Sequence, residues 1–219
     1  MNKRITIAID GPAGAGKSTI GKIIAQKINA DYIDTGAMYR ALTLKLIENN
    51  IDLNDTYSLL KELNNTSIDF RNGHIYLDKK IVDKQIRENI VSQNVSDVAK
   101  IKEVREELVK IQQNIASQKS VVMDGRDIGT VVLPKADFKI FVIASIHERA
   151  KRRFEDLVKA GEKNLTIEEV EDQISRRDKI DSTREKSPLT KSDDAYEIDT
   201  TNKSINESVD EILKIIEGR

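Results

Sequence analysis

The chain has 219 residues, 38% apolar and 33% charged, a balance that suits a globular protein with a heavily charged surface. Its 36 Lys and Arg stand against 37 Asp and Glu, a formal net charge of −1, so no overall field favours nucleic acid or a membrane. Cys is absent, which excludes disulfides, thiolate zinc sites and thiol nucleophiles.

The first residues run directly into an alternating strand, without the apolar stretch of a signal peptide. No uninterrupted apolar run approaches the ~20 residues needed to span a bilayer, so the expectation is a cytoplasmic protein with no membrane partner.

Residues 4–10 are β-branched, with Ile5, Ile7 and Ile9 alternating, and predict a strand. A glycine-rich loop follows, then a helix from Lys17 to Ile28 with Ile20, Ile23, Ile24 and Ile28 at helical spacing. Asp31–Asp34 reads as a second strand, and after Gly36 the helical period returns from Met38 to Ile47. Residues 67–77 form two alternating runs around Asn72-Gly73, a hairpin signal. An antiparallel hairpin is foreign to a parallel α/β core, so roughly 65–90 reads as an insert. A polar helix from about Glu103 to Ser117 leads back. Residues 120–124 and 138–143 are apolar runs of the kind found in strands covered on both faces. Helices near 145–160 and 166–181, a strand at 196–199 and a helix from Ile205 to Ile216 complete the pattern. Strands alternating with helices predict an α/β fold, a parallel sheet with helices on both faces.

Gly11-Pro12-Ala13-Gly14-Ala15-Gly16-Lys17-Ser18 matches the phosphate-loop pattern in full, between a predicted strand and a predicted helix. Glycines let backbone N–H groups curl toward phosphate oxygens, and the helix start offers its unpaired donors to the same anion. Gly11 to Thr19 are therefore the candidate ATP-binding residues. In this chemistry Lys17 reaches the β- and γ-phosphates, and Ser18 is a ligand for Mg²⁺. Asp124 ends an apolar strand and is a second candidate for the metal.

The loop names a nucleotide but no reaction. Asn202-Lys203 lacks the following Asp that a guanine-reading motif requires, which argues against a GTPase. Arg40 begins a helix after the second strand, and Arg126 lies just beyond a strand's carboxyl end, the edge where open α/β sheets bind ligands. Arg177, Asp181 and Arg184 are spaced i, i+4, i+7 and extend the apolar stripe of Ile167, Val170 and Ile174, so a helix that persists would turn them toward a cleft. Arg149, Arg152 and Arg153 cluster within a turn or so of helix. These residues fit a kinase with a second anionic substrate. Kinases of AMP, of UMP or of a hydroxylated acid such as shikimate remain open, as does a nucleotide-regulated binding protein.

Asp34-Thr35-Gly36-Ala37-Met38-Tyr39-Arg40, Asp124 to Val132 (Asp-Gly-Arg-Asp-Ile-Gly-Thr-Val-Val) and Arg177-Asp178-x-x-Asp181-x-x-Arg184 together resemble the bacterial cytidylate kinase family, over essentially the whole chain. The resemblance implies transfer of the ATP γ-phosphoryl group to CMP or dCMP, with Mg²⁺. It also implies a monophosphate-binding insert with a small antiparallel sheet, and a short lid. The expected division is core at 1–34, monophosphate-binding region at 35–116, core at 117–149, lid at 150–165 and core at 166–219.

Residue by residue, the resemblance assigns CMP binding to Thr35, Arg40, Ser96, Arg105, Arg126, Asp127, Arg177, Asp181 and Arg184. Within that set, Arg40, Arg126 and Arg184 hold the phosphate, Asp127 and Arg105 read the cytosine with Ser96 nearby, and Arg177 and Asp181 hold the pentose. Thr35 stands where many relatives have Ser, which keeps the hydroxyl. The catalytic set is Lys17, Arg126, Arg184 and one lid arginine, taken as Arg153. The expected partners are ATP and CMP or dCMP, acting on a monomer with no nucleic acid.

Overall fold

A computed structural model describes residues 4–71, 73–159, 161–162 and 165–218. Its contacts divide the chain into two compact units, Met1–Tyr32 with Lys119–Arg219, and Ile33–Gln118.

The first unit is built on a sheet of five strands: β1 (Thr6–Asp10), β2 (Asp31–Asp34), β6 (Val121–Gly125), β7 (Phe138–Ile143) and β8 (Tyr196–Asp199). Their order is β2-β6-β1-β7-β8, and the pairings of β1 with β6, β1 with β7 and β7 with β8 are parallel. The chain passes into the second unit within β2. Helices α1 (Lys17–Lys27), α6 (Ile146–Lys159), α7 (Ile167–Thr183) and α8 (Ile205–Glu217) belong to this unit. Every residue of β6 is buried, as expected of a central strand whose two faces are both covered. Ile7, Ile9, Val122, Ile140 and Val142 of the sheet form one core with Ile20 and Ile24 of α1 and Val209 and Ile212 of α8. Ala150 and Leu157 of α6 close a second cluster with Val170 and Ile174 of α7. Capping boxes start α7 (Thr166 with Glu169) and α8 (Ser204 with Glu207), each satisfying two otherwise unpaired N–H groups.

The second unit holds α2 (Thr35–Glu48), α3 (Thr56–Asn64), α4 (Asn89–Ala99) and α5 (Lys102–Gln118) around a three-stranded sheet, β3 (Ile68–Arg71), β4 (His74–Leu77) and β5 (Lys80–Ile81). Both of its strand pairings are antiparallel. The hairpin expected around 67–77 is present, with Asn72 of its turn outside the described residues. The third strand was not expected. It follows a two-residue turn in which Asp78 and Lys79 both have positive φ, the geometry of a hairpin turn built without glycine. Lys45 of α2 steadies that turn with an ion pair to Asp78 at 2.6 Å.

Two element boundaries differ from expectation, and two helices are additional to it. Helix α2 begins at Thr35, because Asp34 caps it by accepting from the Ala37 N–H at 2.9 Å. Helices α3 and α4, unread in the sequence, fill residues 56–64 and 89–99. Helix α7 ends at Thr183, so Arg184 is its C-cap in extended backbone and leaves the helical face of Arg177 and Asp181. Among the described residues no helix is long and apolar enough to cross a membrane.

Candidate active site

The phosphate loop joins β1 to α1. Gly11 sits at φ +146°, where a Cβ would lie 2.0 Å from the Val142 carbonyl oxygen, so this position admits only glycine. Gly16 at the N-cap of α1 is left-handed and makes no side-chain cap, so the first donors of α1 are not taken by a capping side chain. Lys17 is buried, and its Nζ donates to the Pro12 carbonyl at 2.7 Å across the loop. Burial first, and the Arg126 guanidinium second, hold its ammonium well below the ordinary lysine range, against the pull of Asp124.

Ser18 Oγ donates to Asp124 Oδ2 at 2.8 Å, and the Tyr32 hydroxyl donates to Asp124 Oδ1 at 2.7 Å. The two candidate metal ligands are thus brought together by the fold. A hydroxyl and a carboxylate are hard oxygen donors that suit Mg²⁺, which keeps waters and phosphate oxygens for the rest of its shell. Among the described residues no cluster of three or more His, Asp or Glu offers an all-protein cage. The donor set therefore fits a metal shared with a nucleotide.

Five of the predicted residues meet in the first unit. Arg126 Nε donates to Asp181 Oδ2 at 2.7 Å, and Arg177 Nε lies 4.0 Å from the same oxygen. Burial pushes the Asp181 carboxyl up, but Arg126, Arg177 and Arg184 outweigh it and hold the group below the usual carboxylate range. Arg184 is buried, its Nε donating to the Ser187 carbonyl at 2.7 Å and its Nη2 lying 3.4 Å from Asp127 Oδ1. The field of Arg126 and Arg177 reaches Lys17, so phosphate loop and guanidinium cluster share one neighbourhood.

The other four lie in the second unit. Thr35 is buried in the first turn of α2, and Arg40 one turn on donates to Asp34 Oδ2 at 2.7 Å. The Asp34 carboxyl is pushed up by burial but held low by Arg40, the Ala37 N–H and Arg87. Ser96 of α4 and Arg105 of α5 are buried, Arg105 donating to the Ala99 carbonyl at 3.3 Å with its guanidinium 5.5 Å from the Tyr39 ring centre.

The three arginines of α6 separate in role. Arg149 is buried beneath the loop, donating to the carbonyls of Ala13 and Ala144 at 3.0 Å each and pairing with Asp178 at 2.5 Å. Arg152 donates to the Thr200 carbonyl at 2.7 Å and to Glu148. Arg153 is half-buried on the same helix. Of the expected lid, residues 150–159 belong to α6, while Ala160, Lys163 and Asn164 lie outside the described residues.

Four residues of the site carry no role in the sequence reading. Asp178 accepts from the Ala13 N–H at 3.3 Å, so Asp178 and Arg149 hold Ala13 of the loop by its N–H and its carbonyl, on the two peptide groups that flank it. Thr200 Oγ1 lies 3.2 Å from the Ala15 carbonyl, Tyr32 holds Asp124, and Asp10 accepts from two backbone donors beyond Asp127. Their partners lie 92 to 185 residues away, and no local pattern marks them.

A family model described as cytidylate kinase matches residues 7–218. A cytidylate kinase of Clostridioides difficile is 52% identical over 97% of this chain and 98% of its own length. That of Bacillus subtilis is 50% identical over 100% of this chain and 99% of its own. Among solved structures, a shikimate kinase from Bacteroides thetaiotaomicron aligns over 97% of this chain and 98% of that one, with TM-score 0.50 and 14% identity, a likeness of fold alone.

Proposed function

We infer that this chain, which belongs to the cytidylate kinase family, transfers the γ-phosphoryl group of ATP to CMP or dCMP, giving CDP or dCDP and ADP. The observation that carries the reading is the guanidinium cluster around Asp181, with Arg126 at 2.7 Å and Arg177 at 4.0 Å, in the same unit as a complete phosphate loop. Such a pairing suits two polyanions, of which the loop accounts for one.

A phosphate oxygen of the acceptor attacks the γ-phosphorus while the bond to the β–γ bridging oxygen breaks, and ADP leaves. With a second pKa near 6, the acceptor phosphate is largely dianionic at neutral pH, so no general base is required. His74 and His147 therefore receive no role. Catalysis rests on positioning and charge neutralisation. Gly11 to Thr19 hold the triphosphate, with the backbone N–H groups of Gly14 to Thr19 as its donors, and Lys17 reaches its β- and γ-oxygens. An incoming triphosphate adds negative charge beside Lys17 and favours its ammonium form, which burial disfavours. Bound at Ser18 and Asp124, Mg²⁺ would supply further neutralisation of the β- and γ-phosphates.

Arg40, Arg126 and Arg184 grip the acceptor phosphate, where forked pairing fixes the attacking oxygen in line. Arg177 and Asp181 take the pentose. Asp127 and Arg105, with Ser96 and Thr35 close to the base, read the cytosine edge: a carboxylate accepts from the N4 amino group, and a guanidinium donates to N3 or O2. By resemblance to the family, Arg153 of α6 is assigned to the γ-phosphate from a lid at 150–165. The near-zero net charge offers no overall field for nucleic acid or a membrane, and we assign the enzyme as a cytoplasmic monomer that binds no nucleic acid.

A coupled assay with ATP, Mg²⁺ and a panel of CMP, dCMP, UMP, AMP and shikimate tests the assignment. Turnover should be fast with CMP and dCMP and poor with UMP, whose position 4 is an acceptor facing a carboxylate. Rapid turnover of AMP with none of CMP would overturn it.

A further inference from the structure

Asp10 is the last residue of β1, immediately before the phosphate loop, and only 5% exposed. Its Oδ1 accepts from the Ile128 N–H at 2.8 Å and its Oδ2 from the Gly129 N–H at 2.7 Å. Those donors open a π turn, Ile128–Val132, that starts right after the acceptor residues Arg126 and Asp127. In this wide turn the Val131 and Val132 N–H groups both go to the Asp127 carbonyl, at 2.9 and 3.2 Å. The first donors of a helical turn have no partner inside it and must find one elsewhere when buried. Asp10 supplies that partner from another strand, one oxygen for each amide.

Two further observations mark the contact as built. A Cβ on Gly129 would stand 3.3 Å from Asp10 Oδ2 and 3.2 Å from Lys139 Cδ, so a side chain there would press on the contact by a few tenths of an ångström. Burial pushes the Asp10 carboxyl up to about 6; the two amides oppose this, the Asp127 charge adds to it, and Lys17 opposes it weakly. A buried carboxylate whose hydrogen-bonding partners are amides is a costly way to end a strand if strand packing were all it did. What it holds is Asp127, whose backbone at φ −142°, ψ 28° lies outside the strand and helix regions and needs support.

We propose that Asp10 is a positioning residue for the acceptor nucleotide, fixing from the base of the phosphate loop the turn that presents Arg126 and Asp127. The proposal rests on the function assigned above, in which those two side chains contact CMP. It gives the enzyme a backbone strut between the donor and acceptor sides of its site.

The test is steady-state kinetics on Asp10→Asn, in which an NH2 donor replaces one of the two accepting oxygens and faces a backbone N–H. KM for CMP should rise about tenfold or more, KM for ATP should stay within about twofold, and the preference for CMP over UMP should shrink. Gly129→Ala disturbs the same contact from the other side and should reproduce that split. The double variant should be no worse than the poorer single. A parallel rise in both KM values, or an unchanged KM for CMP, overturns the proposal. If Asp10→Asn does not fold, as judged by its thermal melt, Gly129→Ala decides by the same criteria. Wild-type enzyme inert toward CMP would sink the assigned reaction itself, whereas wild-type turnover of CMP with an unaltered Asp10→Asn sinks the strut alone.

Discussion

Lys17 combines burial, a 2.7 Å bond to the Pro12 carbonyl and a depressed ammonium pKa, so the folded chain carries this residue at a cost. Lys17→Ala should lower kcat by roughly 10²–10³-fold, the loss typical of one charge-stabilising donor, without lowering the melting temperature. A matched fall in thermal stability and activity would instead make Lys17 structural. Asp127→Ala addresses the base. It should cut kcat/KM for CMP at least about tenfold more than for UMP, because only cytosine offers a donor to the lost carboxylate. Equal losses on both substrates would remove Asp127 from base reading. The sequence makes the phosphate loop legible because its chemistry lies in eight consecutive residues. Asp10, Asp178 and Thr200 were illegible because each acts on a backbone group 118 to 185 residues distant. Arg149 was visible only as one of three similar arginines, and its bonds to Ala13 and Asp178 separate it from its neighbours.

At the level of elements, legibility follows burial pattern and turn chemistry. Strands β6 and β7 were readable because centrally placed parallel strands are continuous apolar runs. Helix α4 was missed although Val91, Val95 and Val98 recur at helical spacing and are buried, since β-branched residues among Asn and Ser depress helix propensity. Helix α3 is short and buries only Leu59 and Leu63; its sole start signal is Asp55, which accepts from the Ser58 N–H. Strand β5 escaped because its turn is Asp78-Lys79 rather than a glycine pair, stabilised by Lys45 from a distant helix. Element stability can be tested apart from the site at α8, whose capping box involves none of the assigned residues. Ser204→Ala should cost about 1 kcal/mol of unfolding free energy, a fall of roughly 2–4 °C in melting temperature, with kcat and both KM values unchanged. A catalytic defect in that variant would mean that α8 communicates with the site.

For the whole molecule, Asp34 and Asp181 on one side and Asp10 on the other respond to pH in opposite senses. Asp34 and Asp181 are held below the usual range by their arginines, so the stability they contribute is present above the ordinary carboxylate pKa and lost as pH falls through their lowered values. Asp10 behaves the other way. Its carboxyl is raised to about 6 from 3.8, so the folded chain holds a proton that the unfolded chain releases, and stability is lost as pH rises from about 4 through 6. Asn at this position does not titrate, so comparing wild type with Asp10→Asn cancels every other group to first order. From pH 7 to pH 4 wild type should gain on the variant by up to about 3 kcal/mol, at no more than about 1.4 kcal/mol per pH unit. Below pH 4 both should weaken together as the arginine-paired aspartates protonate. Urea unfolding at pH 7, 6, 5 and 4 measures the difference directly. A gap that stays constant across this range would mean that Asp10 titrates in the folded protein as it does in the unfolded chain. The two amides and Lys17 would then compensate its burial fully, and the carboxylate would sit at the end of β1 without electrostatic cost.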